Sequence, residues 1–152
     1  MMRKIFVFFL IISFQQILHA QGSDAITGLW ITPGDKSVIH IEKIKGYYTG
    51  KILRLHPEAY INGVPPRDVK NVDSSLRSRS LEGIAILTGI SYNSKKDTWQ
   101  VRQIYDPERG KYYEGHIVMQ GTHKLKLRGH VPGKKWLGET QIWKRREELH
   151  TP

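Results

Sequence analysis

Short runs of β-branched and aromatic residues, separated by turn-forming residues, recur from Gly28 to Arg145 and constrain the fold most strongly. No stretch of a dozen residues keeps the 3.6-residue period of an amphipathic helix, so the crossover helices that a parallel sheet needs are missing. The pattern therefore predicts an all-β antiparallel sandwich or barrel. Eight strands are expected, at 28–32, 37–44, 48–55, 84–92, 98–106, 112–120, 124–131 and 139–145.

The alternation of apolar residues in YYEGHIVMQ and KLKLRGHV predicts the register of one hairpin. Both apolar sets share a face only if the loop has an odd number of residues, and Gly121-Thr122-His123 is the natural choice. The resulting pairs are Met119 with Leu125, Ile117 with Leu127, Gly115 with Gly129, Glu114 with His130 and His116 with Arg128.

A second hairpin is predicted at YDPERGK. Asp106 and Pro107 suit the first two positions of a type I turn, and Gly110 can adopt the left-handed conformation that returns the chain.

The first twenty residues have the features of a secretory signal peptide. Arg3 and Lys4 precede an apolar run at 5–14, which is half the length needed to span a membrane, and Ala20 offers a cleavage position. We expect an exported protein, periplasmic or secreted, with one domain at 21–152. No cysteine follows the run, so the protein is not expected to be a lipoprotein.

The chain contains no cysteine, which excludes disulfides, thiol nucleophiles and thiolate metal sites. Without Arg3 and Lys4, 22 basic residues face 14 acidic ones, a net charge of +8. This balance favours anionic partners. No block of five or more like charges occurs, however, so a nucleic-acid partner is not indicated.

The sequence indicates no metal and no cofactor. Six histidines lie beyond residue 20 and none has the spacing that would bring two ligands together on a helix. In the predicted hairpin Arg128 lies beside His116 and His130, which is unfavourable for a cation. We expect solvated surface histidines: His40, His56, His116, His123, His130 and His150.

Gly28-Leu29-Trp30 opens the first predicted strand, and Trp143 and Arg145 lie in the last. These two strands resemble those of lipocalin-like barrels. The resemblance implies that Trp30 closes one end of the barrel and that Arg145 packs across its ring. A guanidinium over an indole gains up to about 2 kcal/mol when desolvated.

Six motifs in order give a more specific resemblance over nearly the whole chain after residue 20. They are G-L-W, D-V-K-N-x-D-x-x-L-R-S-R-x-L-x-G, I-x-T-G, I-Y-D-P-E-x-G-K-x-Y, L-K-L-R-G and G-x-T-Q-x-W-x-R. This order is similar to the exported bacterial family called domain of unknown function 2147. The resemblance implies a small barrel-like domain and no assigned activity.

The polar segment NVDSSLRSRSLEG connects two predicted strands and carries the candidate ligand-binding residues. Asp73 is a suitable N-cap for one short helix in the 68–82 connector. One interpretation is structural, with an arginine tied to Asp68 or Asp73. The other is an anion-binding rim in which Arg77 or Arg79 receives a carboxylate or phosphate head group bidentately.

The sequence favours a non-enzymatic envelope protein: an up-and-down barrel that binds a small amphipathic or anionic ligand. One alternative is an interaction protein whose basic face docks on an acidic partner or anionic lipid. Another is a hydrolase that uses a carboxylate pair, and the oligomeric state is left open. The basic face comprises Lys124, Lys126, Arg128, Lys134 and Lys135, and the carboxylate pairs are Asp68 with Asp73 and Glu82 with Glu114.

Overall fold

Eight antiparallel strands follow one another in chain order around a closed barrel. A computed structural model describes residues 22–147 of this chain, so the predicted signal peptide at 1–20 lies outside the described residues. The predicted up-and-down barrel is confirmed. Its strands are β1 (Gly28–Ile31), β2 (Ser37–Ile44), β3 (Tyr47–Leu55), β4 (Ala85–Asn93), β5 (Thr98–Asp106), β6 (Lys111–Gln120), β7 (Lys124–Val131) and β8 (Lys134–Arg145).

The last strand differs most from its predicted bounds, because β8 begins at Lys134 rather than at residue 139. A tight turn with left-handed Gly133 lets Lys134 pair with Val131, so β7 has a partner along its whole length. The exposed stretch that follows lacks the alternation of apolar and polar residues by which a strand is recognised from sequence.

Both predicted hairpins are confirmed. The β6–β7 pairing has the expected register, from Glu114 opposite His130 to Met119 opposite Leu125. In the β5–β6 turn, the Gly110 amide donates to the Asp106 carbonyl at 2.8 Å, and Gly110 has a φ of +65°.

The connector between β3 and β4 contains short 3₁₀ turns, and the turn over Ser74–Leu76 is the helix expected at 68–82. Its N-cap is Asp73, whose carboxylate accepts a hydrogen bond from the Ser75 amide at 2.9 Å. The helices of the described residues are 3₁₀ turns of three or four residues. In the connector, only one turn of chain is available before it turns back at an antiparallel bridge between Arg67 and Ser80.

The barrel closes at its base, where β1 meets β8. Trp30 pairs with Arg145, whose guanidinium carbon lies 4.2 Å from the centre of the Trp30 ring. That guanidinium donates to three backbone carbonyls, those of Ala25, Thr27 and Thr122. Gly28 has a φ of +114°, and a Cβ there would lie 2.8 Å from Arg145 Nη1, so a side chain would displace the arginine.

A fully buried part of the core lies above this closed end. Completely buried side chains from five strands meet there, and the Trp30 indole donates to the Ile26 carbonyl at 2.8 Å. These residues are Trp30, Ile39, Ile41, Ile90, Trp99 and Ile117. Side chains fill the barrel at this end, whereas the long β3–β4 connector lies at the opposite end.

Candidate functional site

A cavity of about 1240 Å³ fills the half of the barrel opposite the closed end. In an up-and-down barrel the loops β1–β2, β3–β4, β5–β6 and β7–β8 all leave from the same end. Residues from the first three of these loops, together with Val131 at the end of β7, line the cavity, so it opens at this end.

Apolar side chains form the wall of the cavity. They come from β3, β4, β5, β7 and β8, so no single segment creates the site. Gly129 leaves part of the wall without a side chain, and a Cβ there would meet Ile104 at 3.4 Å. The principal apolar lining residues are Ile52, Leu87, Ile104, Leu127 and Trp143.

Charged side chains of both signs surround the mouth. Lys36 and Glu108 form an ion pair at 2.9 Å, although their loops leave the barrel on opposite sides, four strands apart. Arg109 binds Asp106 at 2.8 Å and lies 3.5 Å from Glu139 of β8. The β5–β6 turn is therefore held over the mouth by contacts to β8 and the β1–β2 loop.

The mouth is open further on one side, between β1 and β8. β1 is short and pairs with β8 only at Trp30 and Ile31. Above these pairs, Leu137 and Glu139 of β8 line the cavity, and so does the β1–β2 loop. This edge of β8 therefore borders the cavity without a paired strand in β1.

The predicted ligand residue Asp68 is a buried anchor of the connector. The residue is 1% exposed, and its Oδ2 accepts two hydrogen bonds from Arg79, at 2.9 and 3.1 Å. Asn71 donates to the same oxygen, and the Tyr105 hydroxyl donates to the other. Burial and this carboxylate raise the pKa of Tyr105, because both disfavour the phenolate.

Arg77 and Asp73 also bind within the connector. Arg77 donates from Nε to the Asn71 carbonyl at 2.7 Å, and Asp73 caps the 3₁₀ turn. Among the described residues, the cavity lining includes none of Asp68, Asp73, Arg77 and Arg79. These four residues thus lie together in the connector, behind the cavity wall, and the Tyr105 hydroxyl connects Asp68 to that wall.

Two of the sequence motifs meet where the connector contacts the β5–β6 turn. Besides the Tyr105–Asp68 hydrogen bond, Lys70 donates from Nζ to the Glu108 carbonyl at 2.6 Å. At Gly110 a Cβ would lie 1.9 Å from the Lys70 carbonyl oxygen. Only glycine permits this approach.

The carboxylate pairs considered for hydrolysis have separate partners. Glu82 accepts from the Leu55 amide and the Tyr60 hydroxyl, whereas Glu114 lies in β6 opposite His130. The hydrogen bond from Ser75 lowers the pKa of Asp73, which is the opposite of what a general acid needs. Within residues 22–147 no group of three or more His, Asp or Glu residues could hold a metal ion.

The histidine prediction is wrong for His130, which is 9% exposed. β8 begins earlier than expected and flanks β7 as far as Val131, with Gly138 opposite His130, and the imidazole Nδ1 lies 3.2 Å from the Val131 carbonyl. His116 is half-buried, and His150 lies outside the described residues.

Sequence reasoning missed the charged residues of the mouth: Lys36, Glu58, Glu108, Arg109 and Glu139. The available signal was the topology, because alternate loops of an up-and-down barrel share one end. The contacts of these residues across the mouth depend on the conformation of each loop, which the topology does not specify.

In the described part of the chain, no helix is long and apolar enough to cross a membrane. The fold is similar to that of a solved protein from Helicobacter pylori, HP1028, described as belonging to the lipocalin family. The TM-score is 0.67 at 19% identity, over 80% of this chain and 83% of that one. No curated protein matches the sequence. Residues 28–145 match the bacterial family DUF2147, described as an uncharacterized protein conserved in bacteria, and the chain therefore belongs to this family.

Proposed function

We propose that this protein is an exported, non-enzymatic binding module that takes a small amphipathic molecule into the open half of its barrel. The observation that carries the proposal is the cavity of about 1240 Å³ with an apolar wall. Pockets for small ligands are typically about 300–1,000 Å³ and mostly apolar, with a few polar groups that orient the ligand. An eight-stranded barrel is of the size that holds one such ligand.

The mouth suggests how the polar end of the ligand is held. Lys36 and Arg109 already bind carboxylates, so an anionic head group would have to displace Glu108, Asp106 or Glu139 from them. A head group that meets charges of both signs avoids this cost. We therefore expect the apolar body of the ligand to contribute most of the affinity.

The experiment compares a neutral and an anionic fluorescent probe, N-phenyl-1-naphthylamine and dansyl-undecanoic acid. Gly129→Leu places a side chain in the cavity, and the matched control Ser91→Leu adds the same side chain at an exposed position of β4. We expect the first variant to weaken both probes at least about tenfold, a loss of about 1.4 kcal/mol, and the control to bind normally.

Equal binding by Gly129→Leu and wild type, with both variants folded, would exclude the cavity as the site. Native mass spectrometry of protein purified from its own host gives an independent test, because retained cargo appears as extra mass that denaturation releases.

A further inference from the structure

One outer face of the barrel is strongly basic. On β7, Leu127, Gly129 and Val131 line the cavity, so the residues between them and on either side point outward. We call the outward surface of β6, β7 and β8 the basic face. It carries Lys124, Lys126, Arg128 and Lys144, with Glu114 as its acidic residue.

Two lysines of the basic face lie directly opposite each other. Lys124 of β7 pairs with Lys144 of β8. Like charges in a cross-strand pair are destabilising. The fold therefore gains nothing from this pair.

The half-buried His116 of β6 senses the same charge. Its pKa is lowered by burial and then by the positive charge of Arg128, with smaller contributions from His130 and Lys126. These groups face His116 from β7, the neighbouring strand. The potential over the basic face is thus positive where its strands meet.

A large aromatic side chain stands at the loop end of this face. Trp136 is 78% exposed, whereas the other three tryptophans are at most 2% exposed. The cavity lining includes its neighbour Leu137 but not Trp136, so the indole points away from the cavity. Leu137, the next residue, is 53% exposed at the mouth.

We propose that the basic face docks on a lipid bilayer that contains acidic lipids, with Trp136 in the head-group region. Lysines near an anionic leaflet attract it electrostatically, and tryptophan prefers the membrane–water interface because its ring is apolar and its N–H is polar. An acidic protein fits less well, because lysine is depleted at protein–protein interfaces.

Docking in this orientation has a consequence for the mouth. Trp136 and Leu137 are neighbours, one on the basic face and one on the cavity, so the bilayer surface would lie beside the opening between β1 and β8. The inference does not depend on the proposed function, since a barrel without cargo would dock equally.

The test measures binding of the barrel domain, residues 22–147, to vesicles of phosphatidylglycerol and phosphatidylcholine. Pure phosphatidylcholine vesicles are the reference. Since Trp136 is the exposed tryptophan, a blue shift of the intrinsic emission on binding reports its transfer to the interface. We expect binding and a blue shift with the acidic vesicles, and loss of both at high salt.

Three variants locate the contact. Trp136→Ser should weaken flotation with the vesicles about tenfold by removing apolar area. Lys124→Ala combined with Lys144→Ala should weaken it roughly twenty-fivefold, since each basic residue near the surface contributes about fivefold. This double variant removes a repulsive pair, so its fold should not suffer. The matched control replaces Lys95 and Lys96, which are exposed in the β4–β5 turn outside the basic face, and should bind normally.

Several outcomes would overturn the proposal. One is failure to bind acidic vesicles at low salt, and another is binding with unchanged tryptophan emission. Equal loss in the Lys95 and Lys96 control would indicate that overall charge alone is responsible. Sedimentation showing a Trp136-dependent dimer, without vesicle binding, would assign the face to a second copy of the chain.

Discussion

Replacing Arg79 by alanine removes the counterion of a buried carboxylate and decides between the two interpretations of the connector. Arg79 donates two hydrogen bonds to Oδ2 of Asp68, which is 1% exposed. In the variant, Asp68 keeps Asn71 and Tyr105 as donors but loses its charge partner. The free energy of unfolding should fall, because the carboxylate stays out of water.

The magnitude follows from the burial of the two partners. Breaking a fully buried ion pair by removing one partner costs about 3–5 kcal/mol. The Arg79 side chain is 36% exposed, so water can enter the space it leaves, and two donors remain to Asp68. We therefore expect a loss of about 2–3 kcal/mol, which for a domain of this size lowers Tm by roughly 10 °C.

Arg77→Ala is the matched comparison. The Arg77 side chain makes one hydrogen bond, to the Asn71 carbonyl, so its removal should cost about 1.5 kcal/mol. Urea unfolding followed by circular dichroism gives both values, and titration with dansyl-undecanoic acid gives the affinity of each folded variant. If both arginines are structural, both variants should bind the probe with the affinity of the wild type, and Arg79→Ala should lose more stability than Arg77→Ala.

The opposite result would refute this reasoning. If Arg79→Ala keeps the unfolding free energy of the wild type and loses the anionic probe, the guanidinium binds a ligand rather than Asp68. The anion-binding rim would then be the correct interpretation.

Three further predictions test the closed end, the connector and the pH dependence. In Arg145→Lys, the lysine cannot reach three carbonyls while it covers the Trp30 ring, so the free energy of unfolding in urea should fall by about 3 kcal/mol. A variant as stable as the wild type would contradict the closure described for this end. Gly110→Ala places a Cβ against the Lys70 carbonyl and strains a left-handed residue, so the 68–82 connector should become sensitive to limited proteolysis. An unchanged digestion pattern would mean that the connector and the β5–β6 turn separate without cost. The folded pKa of His116 lies below its ordinary 6.5, so the unfolded chain binds more protons than the folded one as pH falls. The contribution of His116 to stability is present above pH 6.5 and is lost as pH drops through the folded pKa. Urea unfolding at a series of pH values should therefore show a smaller loss of stability toward acid in His116→Gln than in the wild type.

Much of the fold could be predicted because strand pairing is encoded locally. The alternation in KLKLRGHV and an odd loop are sufficient for the β6–β7 register, since shifting the pairing by one residue would move Leu125 and Leu127 to the outer face. Turn chemistry similarly predicted the β5–β6 hairpin through Asp106 and Gly110. The start of β8 was missed because that stretch is exposed and has no alternation to recognise.

The candidate site could be predicted less well. The sequence indicated that an arginine of the connector and a nearby carboxylate could pair, but left Asp68 and Asp73 as equal partners. Both are close to Arg79 along the chain, and what distinguishes them is Tyr105, a residue of β5 that also binds Asp68. Such a contact between distant segments leaves no local signal.

The sequence by itself determined the strand order, one hairpin register and the balance of charge, because each depends on neighbouring residues or on composition. Only the tertiary structure decided that the barrel is hollow, that its mouth is bridged by Lys36 and Glu108, and that Trp136 stands on a basic face. A cavity is the space that side chains from several strands leave unfilled, so it exists only when the sheet has closed around it.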